Sequence, residues 1–80
     1  MTNAMTEAEA LEAMRAGGRL QVKALPAKDA LGYTHHADWA SASALAGGLG
    51  YSCGAWGRSE AGALESVARL WAGHYGEQLL

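Results

Sequence analysis

Cysteine and histidine are the side chains best suited to covalent or metal chemistry, and this chain holds one cysteine, Cys53, and three histidines, His35, His36 and His74. A thiolate beside an imidazole makes a nucleophile–base pair, and the run Cys53-Gly54-Ala55-Trp56 sets the thiol among small residues. Such a pair also needs a third group to orient the histidine, and 80 residues offer little scaffold for that. Cys53 therefore reads as a small apolar residue on the inner face of a strand, with an exposed thiol able to link two copies as the alternative. His35, His36 and Asp38 have metal-binding side chains, but adjacent strand residues point to opposite faces. Zinc takes three or four convergent ligands, and Cys53 and His74 are distant in sequence. Gly47-Gly48-Leu49-Gly50 leads into a strand, whereas phosphate-cradling loops lead into a helix N-terminus. The expectation is no enzyme, no cofactor and no metal.

What remains is recognition. Glu7, Glu9, Glu12, Asp29, Asp38, Glu60 and Glu65 would imitate a phosphate row and fit a basic groove if the fold gathered some of them. The alternative is ordinary solvated helix faces. Trp39 and Trp56 are of the type that anchors interfaces, with core burial the alternative for each. Glu9, Glu12, Trp56 and Glu65 form the expected partner-binding set.

These residues sit on elements that the spacing defines. Leu49, Tyr51, Cys53 and Ala55 alternate with Gly50, Ser52, Gly54 and Trp56, the period of a half-buried strand, and Trp56 falls on the face away from the cysteine. Gly57-Arg58-Ser59 supplies a turn and an N-cap, and Glu60 suits the positive end of the following helix. Leu64, Val67, Leu70 and Trp71, flanked by Ala63 and Ala68, give that helix an apolar stripe. It frays near Gly73 to Gly76.

Upstream, Met1 to Met5 reads as a loose tail. Thr6 and Glu9 form a capping box for a helix over roughly 7–16, with Ala8, Leu11 and Met14 apolar and Gly17-Gly18 as the stop. Arg19 to Leu25 alternates as a strand that Pro26 ends. A turn at Ala27-Lys28-Asp29 leads to a second strand over Leu31 to His36, paired as a hairpin. From Asp38 to Gly48 two readings stay open. Asp38 caps a short helix carrying Trp39, Ala42, Leu45 and Ala46, or the segment runs on as a strand; alanine richness favours the helix. The expected fold is α+β: a three-stranded antiparallel sheet packed against an N-terminal and a C-terminal helix, with a possible short third helix.

The totals narrow the function classes. The chain is 80 residues long, reads as a single domain and carries a formal charge of −2, with no phenylalanine and three tryptophans. So small a core leans on a partner or on self-association, and a homodimer is possible. Scattered basic residues in an acidic chain disfavour nucleic acid. No apolar run is long enough for a membrane, no signal peptide is visible, and a lone cysteine suits a reducing compartment, so the expected location is cytoplasmic.

The closing unit resembles the end of a double-stranded-RNA-binding domain, a family with the order helix, three strands, helix. Gly54, Gly57, Arg58, Ser59, Ala63 and Ala68 match it in kind. That family grips phosphates with paired lysines at the start of the last helix, where this chain has Glu60 and Ala61. Partial versions of the fold in antitoxins of the HicA/HicB type are similar and bind protein. A looser likeness is to phage-encoded anti-CRISPR inhibitors, which are small, acidic, alanine- and glycine-rich and free of chemical motifs. That resemblance implies a protein-binding inhibitor of a CRISPR effector complex, acting in the host bacterial cytoplasm through acidic and aromatic surface. The alternative is a nucleic-acid-binding or antitoxin-like module.

Overall fold

The computed structural model describes residues 5–27 and 30–76. Residues 1–4 of the expected tail over Met1 to Met5, and the Lys28-Asp29 part of the expected turn, lie outside them; Met5 itself is not loose but packs, partly buried, against the core. Helix α1 covers Glu7–Gly17. Its capping box is formed: the Thr6 N–H donates to Glu9 Oε1 at 2.9 Å and the Glu9 N–H to Thr6 Oγ1 at 3.1 Å, so two N–H groups left free by the first turn are satisfied. The chain passes straight from α1 into strand β1, Gly18–Ala24. Strand β2 is His35–Ser41, a single turn of helix α2 is Ala42–Leu45, and strand β3 is Ser52–Gly57. Helix α3, Glu60–Trp71, continues as a π-helical turn over Ala72–Gly76, where fraying was expected.

The strands lie side by side in the order β1-β2-β3, both pairs antiparallel. Leu20, Trp39 and Cys53 stand abreast, as do Val22, Ala37 and Ala55. These residues face the helices. The core joins Ala10 and Met14 of α1, Ala37 and Trp39 of β2, and Ala63, Val67, Ala68 and Trp71 of α3. Both long helices therefore cover the same side of the sheet, giving the α+β architecture expected.

Trp39 decides the middle of the chain. A second strand over Leu31 to His36, followed by a helix capped by Asp38, is not what forms. The strand runs later, from His35, and Leu31 lies exposed in the connection that precedes it. Pairing in this register carries Trp39 into the core, where its indole N–H donates to the Met14 carbonyl at 2.6 Å. That carbonyl belongs to the last turn of α1 and has no partner within the helix. Burial of a large ring with its polar atom satisfied outweighs a helix propensity of tenths of a kcal/mol per residue. The helical alternative survives only beyond Ser41, whose hydroxyl accepts from the Ala44 N–H as an N-cap.

The same end of β2 shortens β3. Once Ser41 turns into α2 there is no strand left to pair with Leu49, and Leu49 is 98% exposed instead of facing the core. Tyr51 is also exposed on balance, although its carbonyl accepts from the Ser41 N–H at 2.8 Å.

Helix α3 is capped by Ser59, whose hydroxyl accepts from the Gly62 N–H at 2.9 Å. Its buried line runs through Ala63, Val67, Ala68 and Trp71, while Leu64 is half-buried and Leu70 faces outward. Close approach explains the shift: a Cβ on Gly57 would lie 2.2 Å from the Ala63 nitrogen. The helix sits so near β3 that small residues meet the sheet and leucines flank the contact. Arg58 binds the neighbouring connection, donating to the Leu31 carbonyl at 3.2 Å and lying over the Tyr33 ring.

Candidate binding surface

The side chains with covalent potential are held apart by the sheet. Cys53 faces the helix layer and is half-buried; loss of water raises its pKa above the ordinary thiol value, which leaves it a neutral thiol at physiological pH. His36 stands on the opposite face. His35 shares the inner side with Cys53 but pairs with Gly57, whereas Cys53 pairs with Trp39, four residues along β2 and about 13 Å away. The His35 Nδ1 instead lies 2.9 Å from the Thr34 hydroxyl. Among the described residues no three of His, Cys, Asp and Glu are grouped to hold a metal ion.

The face of the sheet away from the helices carries three cross-strand rows: Lys23, His36 and Trp56; Gln21, Asp38 and Gly54; and Arg19, Ala40 and Ser52. Alternation puts all nine on one side, because Leu20, Val22, Ala37, Trp39, Cys53 and Ala55 pack on the other. Trp56 is 52% exposed. Its ring meets the His36 imidazole at 4.8 Å between centroids and 55° between planes. Gly54 makes this possible, since a Cβ there would stand 3.0 Å from His36 Nε2. Asp38 flanks the imidazole at 4.0 Å from Oδ2 to Nδ1. Rigid strands thus present an aromatic pair with two cations of β1 and one carboxylate around it.

The expected partner-binding set does not share a surface. Trp56 is on the open sheet face, as alternation indicated; Glu9 and Glu12 are on α1 and Glu65 on α3, in the layer that covers the other side. Two of these carboxylates have local partners. Hydrogen bonds from the Thr6 N–H, and then from its hydroxyl, lower the Glu9 pKa below the usual carboxylate value, and Glu65 pairs with Arg69 one turn on. Asp29 lies outside the described residues.

Sequence reasoning missed a second surface. A groove of about 510 Å³ opens where the end of α1 meets α2 and the loop before β3. Ala13, Ala16 and Gly17 form one wall, Trp39 and Trp71 reach it from the core, and Leu49 and Tyr51 line the far side. None of its lining residues is charged. The volume lies within the ordinary range for binding clefts, about 300–1,000 Å³. The available signal was the glycine-rich run from Gly47 to Gly50, with Gly47 at φ +86°, which marks a loop in which Leu49 has no strand to join.

Compared with known protein families, curated proteins and solved structures, the chain matches none. No helix among the described residues is long and apolar enough to cross a membrane.

Proposed function

We propose that the chain is a non-enzymatic protein-binding inhibitor whose contact surface is the open sheet face centred on Trp56. The observation that carries this reading is Trp56 itself, half exposed, braced by His36 and standing on strands whose register is fixed by the core. Tryptophans in such positions supply much of the free energy of many interfaces. Arg19 and Lys23 suit a partner that places carboxylates beside an apolar anchor point. The helix-borne acids take a smaller part, because Glu9 and Glu65 are already engaged with Thr6 and Arg69.

The partner we propose is a CRISPR effector complex, which the inhibitor would keep from its target nucleic acid in a bacterial cytoplasm. Support for that identity is the overall character of the chain: small, acidic, rich in alanine and glycine, and without a chemical motif. The test is titration of purified effector complexes with wild type and Trp56→Ala, with target-DNA binding as readout. Inhibition by wild type, weakened roughly thirtyfold or more in Trp56→Ala, is expected for an anchor worth about 2 kcal/mol. Absence of any effector binding removes the partner identity. Tight, salt-sensitive binding to a single-stranded oligonucleotide with quenching of Trp56 moves the chain to the nucleic-acid class. Glu60 and Ala61 at the start of α3 already disfavour the duplex-gripping form of that alternative.

A further inference from the structure

We infer that the outer edge of β1 takes up an extended acidic segment of a protein partner as a fourth, antiparallel strand, with carboxylates four residues apart set against Arg19 and Lys23. The inference rests on the reading of the open sheet face as a protein-contact surface and names the segment that the partner brings. Strand order puts β1 at one edge of the sheet. The Leu25 N–H donates to the Thr34 carbonyl at 2.8 Å, one step beyond the Ala24–His35 pair of the same ladder. Backbone direction alternates along a strand, so Arg19, Gln21 and Lys23 turn their N–H and C=O groups to β2, and Leu20, Val22 and Ala24 turn theirs outward. No hydrogen bond from the described residues reaches those outward groups. The core is open along the same edge. Leu20 and Val22 face the helices yet stay half-buried, while Trp39 and Ala37, beside them on β2, are buried. An added strand satisfies the backbone groups and covers both side chains.

Charge selects the occupant. Arg19 and Lys23 are exposed on the open face, about 13 Å apart along the strand, and neither has an ion pair among the described residues. Opposite them on β2 stand Ala40 and His36, and Asp38, opposite Gln21, has its carboxylate 4.0 Å from the His36 imidazole. A second copy of β1 added antiparallel about Gln21 sets Arg19 against Lys23 twice, and like charges directly opposite are destabilising. Cationic edges of this kind keep identical sheets apart. A strand with acids at those two positions replaces the repulsion with two cross-strand attractions. The spacing is selective: acids four residues apart share a face of a strand, whereas acids three apart do not. β3, the other edge, has no charged side chain and two glycines, so it gives an incoming strand no charge to read.

Amide chemical shifts and hydrogen exchange of the full chain, titrated with the end-blocked peptide Thr-Glu-Val-Thr-Val-Glu-Thr to about 5 mM, test this. Antiparallel addition sets its valines opposite Val22 and Leu20 and its glutamates opposite Lys23 and Arg19. Saturable shifts and slowed exchange are expected at the Leu20, Val22 and Ala24 amides. N-methylation of both valines, whose N–H groups face β1, should abolish binding. N-methylation of both glutamates, whose N–H groups face away, should change it only a few-fold. Arg19→Glu combined with Lys23→Glu should weaken binding at least tenfold with an unchanged circular-dichroism spectrum. That double variant should instead bind the peptide with lysine in place of each glutamate. A peptide that leaves the three amides unmoved overturns the inference, as does binding indifferent to valine N-methylation or to the double charge reversal. Concentration-dependent protection of the same amides without peptide would put a second copy of the chain on this edge and overturn it equally. Effector inhibition without peptide binding removes the strand addition alone, and peptide binding without effector inhibition removes the partner identity alone.

Discussion

The same substitution, Trp→Phe, should have opposite consequences at positions 39 and 56, and the contrast tests the register on which the binding surface depends. Trp39 is 2% exposed and its indole N–H serves the Met14 carbonyl. Phenylalanine leaves that buried carbonyl without a donor, at about 1–3 kcal/mol. The smaller ring leaves a void at roughly 24 cal/mol per Å³, of order 1 kcal/mol more. It also weakens the edge-to-face contact with Trp71, now 5.9 Å between centroids at 80°, of the kind worth about 0.5–1.5 kcal/mol. The sum is about 2–5 kcal/mol, against a total of about 4–12 kcal/mol for a domain of this length. Its melting temperature should fall by at least about 10 °C. Trp56→Phe, on the open face, should stay within about 0.5 kcal/mol of wild type. Urea unfolding followed by far-ultraviolet circular dichroism measures both without relying on the altered fluorophores, and an unchanged m-value keeps the comparison two-state. A Trp39→Phe protein as stable as wild type, or equal losses at both positions, would refute the reasoning. A slip of one residue exchanges the two faces of a strand, and the surface built around Trp56 would then be the wrong one.

Two further outcomes follow from local geometry. Gly57→Ala would set a Cβ against the backbone of both Gly62 and Ala63, so α3 must move; a loss of about 2–3 kcal/mol is expected in the urea midpoint, and a midpoint equal to wild type would contradict the close approach. Because the folded state holds the Glu9 carboxyl below its unfolded pKa, its contribution is full above the unfolded value and is lost as pH falls through the folded one. Glu9→Ala should therefore show a shallower acid-side loss of stability than wild type, and parallel profiles would contradict the capping-box origin of the shift.

How much of this could be read from the sequence depended on how far the deciding contact lay. Thr6 with Glu9, and Ser59 with Gly62, are neighbours in the chain, and both helix starts followed from them. The alternation through Trp56 needed only its own strand, so its outward face was legible. Trp39 was not, because the carbonyl that stabilises it as a strand residue lies 25 positions back, in Met14, while the alanines beside it favour helix locally. Leu49 was misread for the complementary reason: its alternation is sound, but its would-be partner strand has already turned into α2. The scatter of the acids came from topology. Helices on one side of a sheet cannot share a surface with the opposite face, whatever their spacing.

The distribution of the core across the elements sets the order in which this protein can become stable. Of the eight buried hydrophobics among the described residues, four lie in α3 and none in β1 or β3. A polypeptide emerging through β3 can pair its strands in sequence, each with the one before, at little loop-closure entropy. Yet α1 covers only part of that face, and the side of Trp39 that meets Trp71 stays open to water until α3 has been made. Folding is therefore expected to be a single late event, triggered by α3. Until then the inner face of the sheet is what a chaperone or another nascent chain would meet.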